Sequence, residues 1–187
     1  MSITLPTVLT LARIALVPVL VLLFYLPFEW SRPAAALAFA LAGLTDWLDG
    51  YLARRLDQHS PFGAFLDPVA DKVMVAVVLV MLVEADPHVW LALPAMVIIG
   101  REIVVSALRE WMAELGQRAQ VAVSAFGKLK TTLQITALLL MLYHEPLLGL
   151  PIYTIGFVLL YVAALLTLYS MIEYFRAGWR AAAETIS

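Results

Sequence analysis

Six apolar stretches, separated by short polar breaks, are the feature that most restricts how this chain of 187 residues can fold. They run over residues 7–28, 34–56, 68–83, 88–112, 124–143 and 147–175. All but the third reach the roughly 17–25 residues that a helix needs to cross a bilayer, and the third is slightly shorter. With 63% hydrophobic residues, 14% charged residues and a mean hydropathy of +0.92, the composition predicts an integral membrane protein.

The predicted fold is all-α: a polytopic membrane protein with six transmembrane helices, forming a single domain over residues 1–187. The breaks between the stretches are polar and rich in proline, as turns are. The short mixed segment 2–10 is predicted to lie along the membrane interface before the first span, with Pro6 near the start of the helix. The chain has no cysteine, so neither disulfides nor thiol chemistry contribute.

The distribution of charge predicts the orientation. The connections after the first, third and fifth spans carry one basic residue among their charged residues Glu29, Arg32, Glu84, Asp86 and Glu145. The opposite side carries the basic residues Arg13, Arg54, Arg55, Lys72, Arg109, Arg118, Lys128, Lys130, Arg176 and Arg180. Positively charged connections remain in the cytoplasm, so both termini and the even-numbered connections are predicted to lie there.

Four carboxylates stand where the second and third spans meet this cytoplasmic side. They belong to two sets, Asp46-x-x-Asp49-Gly50-x-x-Ala53-Arg54 and Gly63-x-x-x-Asp67-x-x-x-Asp71. On a helix each set shares one face. Buried charges are costly in so apolar a chain, so four gathered acids require a compensating cation, and Mg²⁺ prefers such oxygen ligands. The alternative interpretation is two solvated helix ends with scattered acids.

These eight positions, spread over 26 residues, match the signature of the CDP-alcohol phosphotransferase family without a gap or a substitution. The likeness continues outside the signature. Segment 6–13 resembles the start of the family's first helix, and segments 101–103, 107–111 and 127–134 resemble one branch of the family, whose members use a phosphorylated acceptor. The chain departs from the pattern at Thr7, where many relatives carry Asn.

The resemblance implies an enzyme that transfers a phosphatidyl group from CDP-diacylglycerol to sn-glycerol 3-phosphate and releases CMP, on the route to phosphatidylglycerol and cardiolipin. It also implies two divalent cations, Mg²⁺ or Mn²⁺, and a homodimer with a complete site in each subunit. The expected location is the bacterial inner membrane, with several passes and the active site at the cytoplasmic face. Membrane lipid is an expected partner and nucleic acid is not.

Two alternatives stay open beside this function. One keeps the reaction but changes the acceptor to inositol phosphate, serine or another alcohol. The other is a cation transporter, in which the acids would form the transport site. Such transporters tend to be built from internal repeats with sites near the membrane midplane, whereas this chain shows no repeat and its acids lie at one face.

By the same resemblance, the metal ligands are Asp46, Asp49, Asp67 and Asp71, and Asp71 is also the catalytic base. The residues expected to bind CDP-diacylglycerol are Thr10, Arg13, Asp46, Gly50, Arg54 and Gly63. The two glycines would let a ligand approach the backbone, or they serve tight helix packing. Arg54 pairs with a phosphate or simply anchors the helix at the cytoplasmic surface.

An acceptor that carries a phosphate requires cationic side chains near the aspartates. The candidates are Arg118, Lys128, Lys130 and Arg176, each of which also fits the role of a basic residue at the membrane surface. Arg101 and Glu102 lie deeper, because Arg101 is about 16 Å along a helix that begins near Trp90. Arg101 is therefore expected to reach the carboxylates or to pair with an acid on another span, and Arg101 and Glu102 are the candidates for an intramembrane polar pair.

Overall fold

The computed structural model describes residues 5–56, 61–114 and 125–186, and the regular elements in those ranges are all α-helices. They are α1 Leu5–Tyr25, α2 Ser31–Leu56, α3 Pro61–Ala85, α4 Val89–Glu114, α5 Ala125–Tyr143 and α6 Ile152–Ile186. Helices are what a bilayer permits, because a backbone in hydrocarbon must satisfy its N–H and C=O groups within its own segment. The prediction of an all-helical, polytopic membrane protein is confirmed.

Three helical segments in the described ranges are long and apolar enough to cross a membrane, and Leu129–Tyr143 is a shorter apolar helix. The three are Thr7–Tyr25, Val89–Glu114 and Ile152–Arg176. Helices α2 and α3 are also long, but each carries signature aspartates in one half, which shortens its uninterrupted apolar stretch. Large apolar side chains face outward along the bundle, as Leu22 at 68% exposed and Leu165 at 65% show.

Helix boundaries differ from the apolar stretches where polar residues are helical. Helix α3 begins at Pro61 rather than near 68, and proline suits a first helical position because its missing N–H has no helical partner there. Helix α6 continues past 175 to Ile186. The described part of the N-terminal segment, from Leu5, is continuous with α1, and its location at the membrane interface stays a prediction.

Helix α3 contacts α1, α4 and α5, so it is surrounded on several sides by other helices. Helix α1 also packs on α2, α5 on α6 and α2, and α4 on α6. Small buried residues on one face of α2, Ala35, Ala38 and Ala42, allow close approach of a neighbouring helix. Because of its position, α3 presents the second pair of aspartates to helices on both of its sides.

Gly156, on α6, packs closely against α5. A Cβ atom at this position would lie 2.8 Å from Cγ of Met141 and 2.9 Å from the backbone oxygen of Ala137. The backbone oxygen cannot move aside as a flexible side chain can. By contrast, a Cβ atom at Gly100, inside α4, would meet no heavy atom within 4 Å.

We therefore expect Gly156→Ala to lower thermal stability and Gly100→Ala to leave it unchanged or slightly raised. Overpacking costs roughly 1–3 kcal/mol, and a chain of this size loses about 2–4 °C in Tm for each kcal/mol. The measurement is thermal unfolding of the purified variants in one detergent, followed by tryptophan fluorescence. Equal Tm values for both variants would contradict the close packing of α5 against α6.

Candidate active site

Three of the signature carboxylates meet side chains of α1. Oδ1 of Asp46, on α2, lies 2.8 Å from Nη1 of Arg13, and the same nitrogen donates to Oδ1 of Asp71, on α3. One turn earlier on α1, Thr10 donates its hydroxyl to Oδ1 of Asp67. Helix α1 therefore joins the two halves of the signature, although it carries none of its eight residues.

Arg13 is a charged side chain with only 1% of its surface exposed. A guanidinium this deeply buried is costly unless acids pair with it, and Asp46 and Asp71 provide the pairing. Thr10 and Arg13 are three residues apart, so they lie on one face of α1. The carboxylates of Asp46 and Asp71 remain 46% and 50% exposed, which leaves part of each accessible to a ligand.

One guanidinium does not balance three carboxylates, so this part of the site keeps a net negative charge. Among the described residues, no group of three or more His, Cys, Asp or Glu side chains is close enough to hold a metal ion. Asp49, the fourth expected ligand, lies in α2 with its side chain outside the described residues. The oxygen donors and the unbalanced charge fit a hard divalent cation, which takes carboxylate ligands.

Two other expected contacts for CDP-diacylglycerol, Gly50 and Arg54, also lie in α2, and their surroundings are outside the described residues. Gly63 is buried in α3 one turn before Asp67. A buried glycine at this position agrees both with close approach of a ligand to the backbone and with tight packing of helices.

A cavity of about 340 Å³ opens beside the α3 aspartates, with oppositely charged walls. Asp67 and Asp71 form one wall, which we call the carboxylate wall. Arg101 and Arg109 of α4 and Lys130 of α5 form the other, which we call the cation wall. The cation wall therefore places three positive side chains in the same cavity as the carboxylates, and Lys72 of α3 also lines this cavity.

Glu102 connects two members of the cation wall. Its Oε1 atom lies 2.9 Å from Nη1 of Arg101 and 3.3 Å from Nζ of Lys130. Nη2 of Arg101 also donates to Oγ of Ser170, on α6, at 3.3 Å. Arg101 pairs with Glu102, the partner expected for an intramembrane polar pair, and this acid is the next residue of its own helix rather than an acid on another span.

The sequence did not identify Arg109 and Tyr174 as site residues. Nη2 of Arg109 donates to the hydroxyl of Tyr174 at 3.0 Å. The tyrosine ring centroid lies 5.4 Å from the Arg109 guanidinium carbon and 5.5 Å from that of Arg101. The spacing of Arg101 and Arg109, eight residues apart on one helix, is the signal that places both on a shared face.

The four candidates for binding the acceptor phosphate have different positions. Lys130 is 4% exposed and belongs to the cation wall. Arg176 is exposed and is not among the described residues that line the cavity. Arg118 and the side chain of Lys128 lie outside the described residues.

A second cavity, of about 110 Å³, is also lined by Asp71, together with Arg13 and Asp46. Thr131 and Gln134 of α5 line both this cavity and the larger one. A helix that only anchors the protein in the membrane does not need polar side chains at these positions. Helix α5 therefore supplies polar side chains to both cavities.

Comparison with known proteins gives a family match. The model of a family described as CDP-alcohol phosphatidyltransferase matches residues 3–169. A relative from Pseudomonas fluorescens is 55% identical over 175 residues, which cover 93% of this chain and 89% of the relative. Relatives from Escherichia coli (strain K12) and Shigella flexneri are each 53% identical over 178 residues, covering 95% of this chain and 96% of theirs. All three are named CDP-diacylglycerol–glycerol-3-phosphate 3-phosphatidyltransferase.

The hydrogen bond from Thr10 to Asp67 can be tested with two matched substitutions. Thr10→Val keeps the shape and removes the hydroxyl, whereas Thr10→Ser keeps the hydroxyl. Thr10 is fully buried, and a lost hydrogen bond to a charged group costs about 1.5–3 kcal/mol, so we expect Thr10→Val to lose roughly ten- to a hundredfold in kcat/KM. Thr10→Ser should keep most of the activity. The measurement is the initial rate of CMP release, and equal rates for the two variants would contradict a role for this hydroxyl.

Proposed function

The chain belongs to the CDP-alcohol phosphatidyltransferase family, and we propose that it transfers a phosphatidyl group from CDP-diacylglycerol to sn-glycerol 3-phosphate, with release of CMP. The observation that carries this proposal is the cavity with a carboxylate wall on one side and a cation wall on the other. A phosphorylated acceptor is attracted to the cations, and the diphosphate of the lipid nucleotide needs cations between itself and the carboxylates. The names of the relatives support the same pair of substrates.

Beside the carboxylate wall, we propose that two divalent cations bind, either Mg²⁺ or Mn²⁺. Asp46, Asp67 and Asp71, together with Asp49, would hold them. When bound, such cations neutralise the diphosphate and stabilise the charge that develops on the departing CMP. Arg13 and Thr10 fix the positions of the three described carboxylates through the contacts that α1 makes with them.

On the cation wall, Arg101, Arg109 and Lys130 would hold the phosphate of the acceptor by charge-assisted hydrogen bonds. Tyr174 fixes the position of Arg109 through its hydroxyl, and Glu102 fixes Arg101 and Lys130. Because Glu102 is negative, the wall carries a net charge of about +2, which matches a phosphate dianion.

The reaction requires the primary hydroxyl of the acceptor to point at the phosphatidyl phosphorus. Asp71 lines the same cavity as the cation wall, and we assign it the role of base that takes the hydroxyl proton. The hydroxyl oxygen then forms a bond to phosphorus while the bond from phosphorus to the CMP oxygen breaks. The described lining residues include no Ser–His pair and the chain has no cysteine, so direct displacement needs fewer groups than a covalent enzyme intermediate.

The location and assembly of the site are part of the proposal. The basic residues gathered on one side of the chain support a cytoplasmic active site in a bacterial inner membrane. There the soluble acceptor enters from the cytoplasm while the acyl chains of the lipid stay in the bilayer. The proposal also includes a homodimer with one complete site in each subunit, as the family resemblance implies.

The reaction is tested with purified protein, CDP-diacylglycerol, Mg²⁺ or Mn²⁺ and a panel of acceptors. We expect CMP to be released with sn-glycerol 3-phosphate and only slowly with serine, inositol or inositol phosphate. Serine and inositol carry no phosphate for the cation wall, and inositol phosphate is bulkier. Equal turnover of serine or inositol would contradict the proposed acceptor while leaving the reaction class intact.

The role of the cation wall is tested by Lys130→Met, which keeps the length of the side chain and removes its charge. A lost charged contact of about 1.5–3 kcal/mol should raise the KM for sn-glycerol 3-phosphate roughly ten- to a hundredfold. The KM for CDP-diacylglycerol should change much less. Arg176→Ala is the matched control, because this cation is exposed and does not line the cavity. An equal rise in the KM for sn-glycerol 3-phosphate in both variants would contradict the role of Lys130 in binding the acceptor.

A further inference from the structure

Gln134 is a polar side chain of the site to which the proposed reaction gives no role. It is 4% exposed and lines both the larger cavity and the smaller one. Its Oε1 atom is buried and has no hydrogen-bond partner among the described residues. Buried side-chain polar atoms nearly always have a partner, so an unpaired acceptor beside a cavity indicates a ligand that supplies the donor.

The position of Gln134 restricts what that ligand group can be. It lies one helical turn after Lys130, so both side chains are on the same face of α5. In the larger cavity it shares the lining with the cation wall, and in the smaller one with Arg13 and Asp46. Asp71 lines both cavities as well. Gln134 therefore lines the same cavity as the phosphate-binding cations and the same cavities as Asp71.

We propose that Oε1 of Gln134 accepts a hydrogen bond from the central, secondary hydroxyl of sn-glycerol 3-phosphate, and that Gln134 thereby determines acceptor specificity. This inference rests on the proposed function. The acceptor has a phosphate at one end, which the cation wall holds, and a primary hydroxyl at the other, which must face Asp71. Its central carbon then lies between these two ends, in the cavity that Lys130, Asp71 and Gln134 line together.

This contact also gives the acceptor a third point of attachment. The phosphate and the primary hydroxyl alone do not distinguish sn-glycerol 3-phosphate from its mirror image, sn-glycerol 1-phosphate. A fixed acceptor atom for the central hydroxyl does, because that hydroxyl points to the other side in the mirror image. A buried atom left without its partner rejects the wrong substrate more strongly than an apolar surface does.

The test compares sn-glycerol 3-phosphate with 3-hydroxypropyl phosphate, which has the same phosphate and primary hydroxyl but no central hydroxyl. The wild-type enzyme should prefer sn-glycerol 3-phosphate in kcat/KM by roughly 5- to 100-fold, the range expected for one buried partner left unpaired. Equal kcat/KM values for the two acceptors would overturn the proposal without any variant.

Gln134→Met then separates recognition from packing, because methionine has a similar length and no strong acceptor. We expect its kcat/KM for sn-glycerol 3-phosphate to fall to about that for 3-hydroxypropyl phosphate, so that the preference between the two drops to within about twofold. The preference for sn-glycerol 3-phosphate over sn-glycerol 1-phosphate should fall in parallel. If Gln134 served only in packing, Gln134→Met would lower kcat/KM by the same factor for both acceptors. An unchanged preference in the variant therefore overturns the proposal.

These outcomes are distinct from a failure of the proposed function. If the wild-type enzyme releases no CMP with sn-glycerol 3-phosphate, the function itself is wrong, and the role of Gln134 falls with it. If the wild-type enzyme is active but Gln134→Met keeps the wild-type preference, only the role of Gln134 is wrong.

Discussion

The buried guanidinium of Arg13 is the interaction on which the arrangement of the site depends. It pairs with a carboxylate on α2 and with another on α3, so one side chain connects three helices. At 1% exposure it would be destabilising without those acids, and the acids would repel one another without it. Charge compensation in an apolar surrounding therefore holds the aspartates together while leaving them partly accessible.

The buried charges of the cation wall are also compensated by a residue of opposite charge. Arg101 and Lys130 are buried cations, and Glu102 pairs with both through one oxygen. Each wall is thus paired with one side chain of the opposite sign and keeps an excess of its own charge: Arg13 pairs with the carboxylates, and Glu102 pairs with the cations. That separation suits the proposed reaction, in which the diphosphate of one substrate and the phosphate of the other must bind next to each other without exchanging places.

The sequence predicted the helices and the signature residues because both depend on local patterns. Apolar stretches of sufficient length determine the helices, and residue spacing determines which aspartates share a helix face. The contacts of α1 with α3 were harder to predict, since they join residues almost sixty positions apart. Arg109, Tyr174 and Gln134 were not predicted as site residues for the same reason. They come together to line the cavity only when α4, α5 and α6 pack.

The central claim is that the aspartates of α2 and α3 converge to hold divalent cations, and Mn²⁺ binding tests it most directly. Electron paramagnetic resonance of the purified protein, titrated with Mn²⁺ in the presence of CDP-diacylglycerol, counts the bound ions and detects coupling between them. The account predicts two coupled Mn²⁺ ions per chain, lost when Asp46 or Asp67 is replaced by Asn while the protein stays folded. Mn²⁺ binding that is absent, or that is the same in these variants as in the wild type, would contradict it.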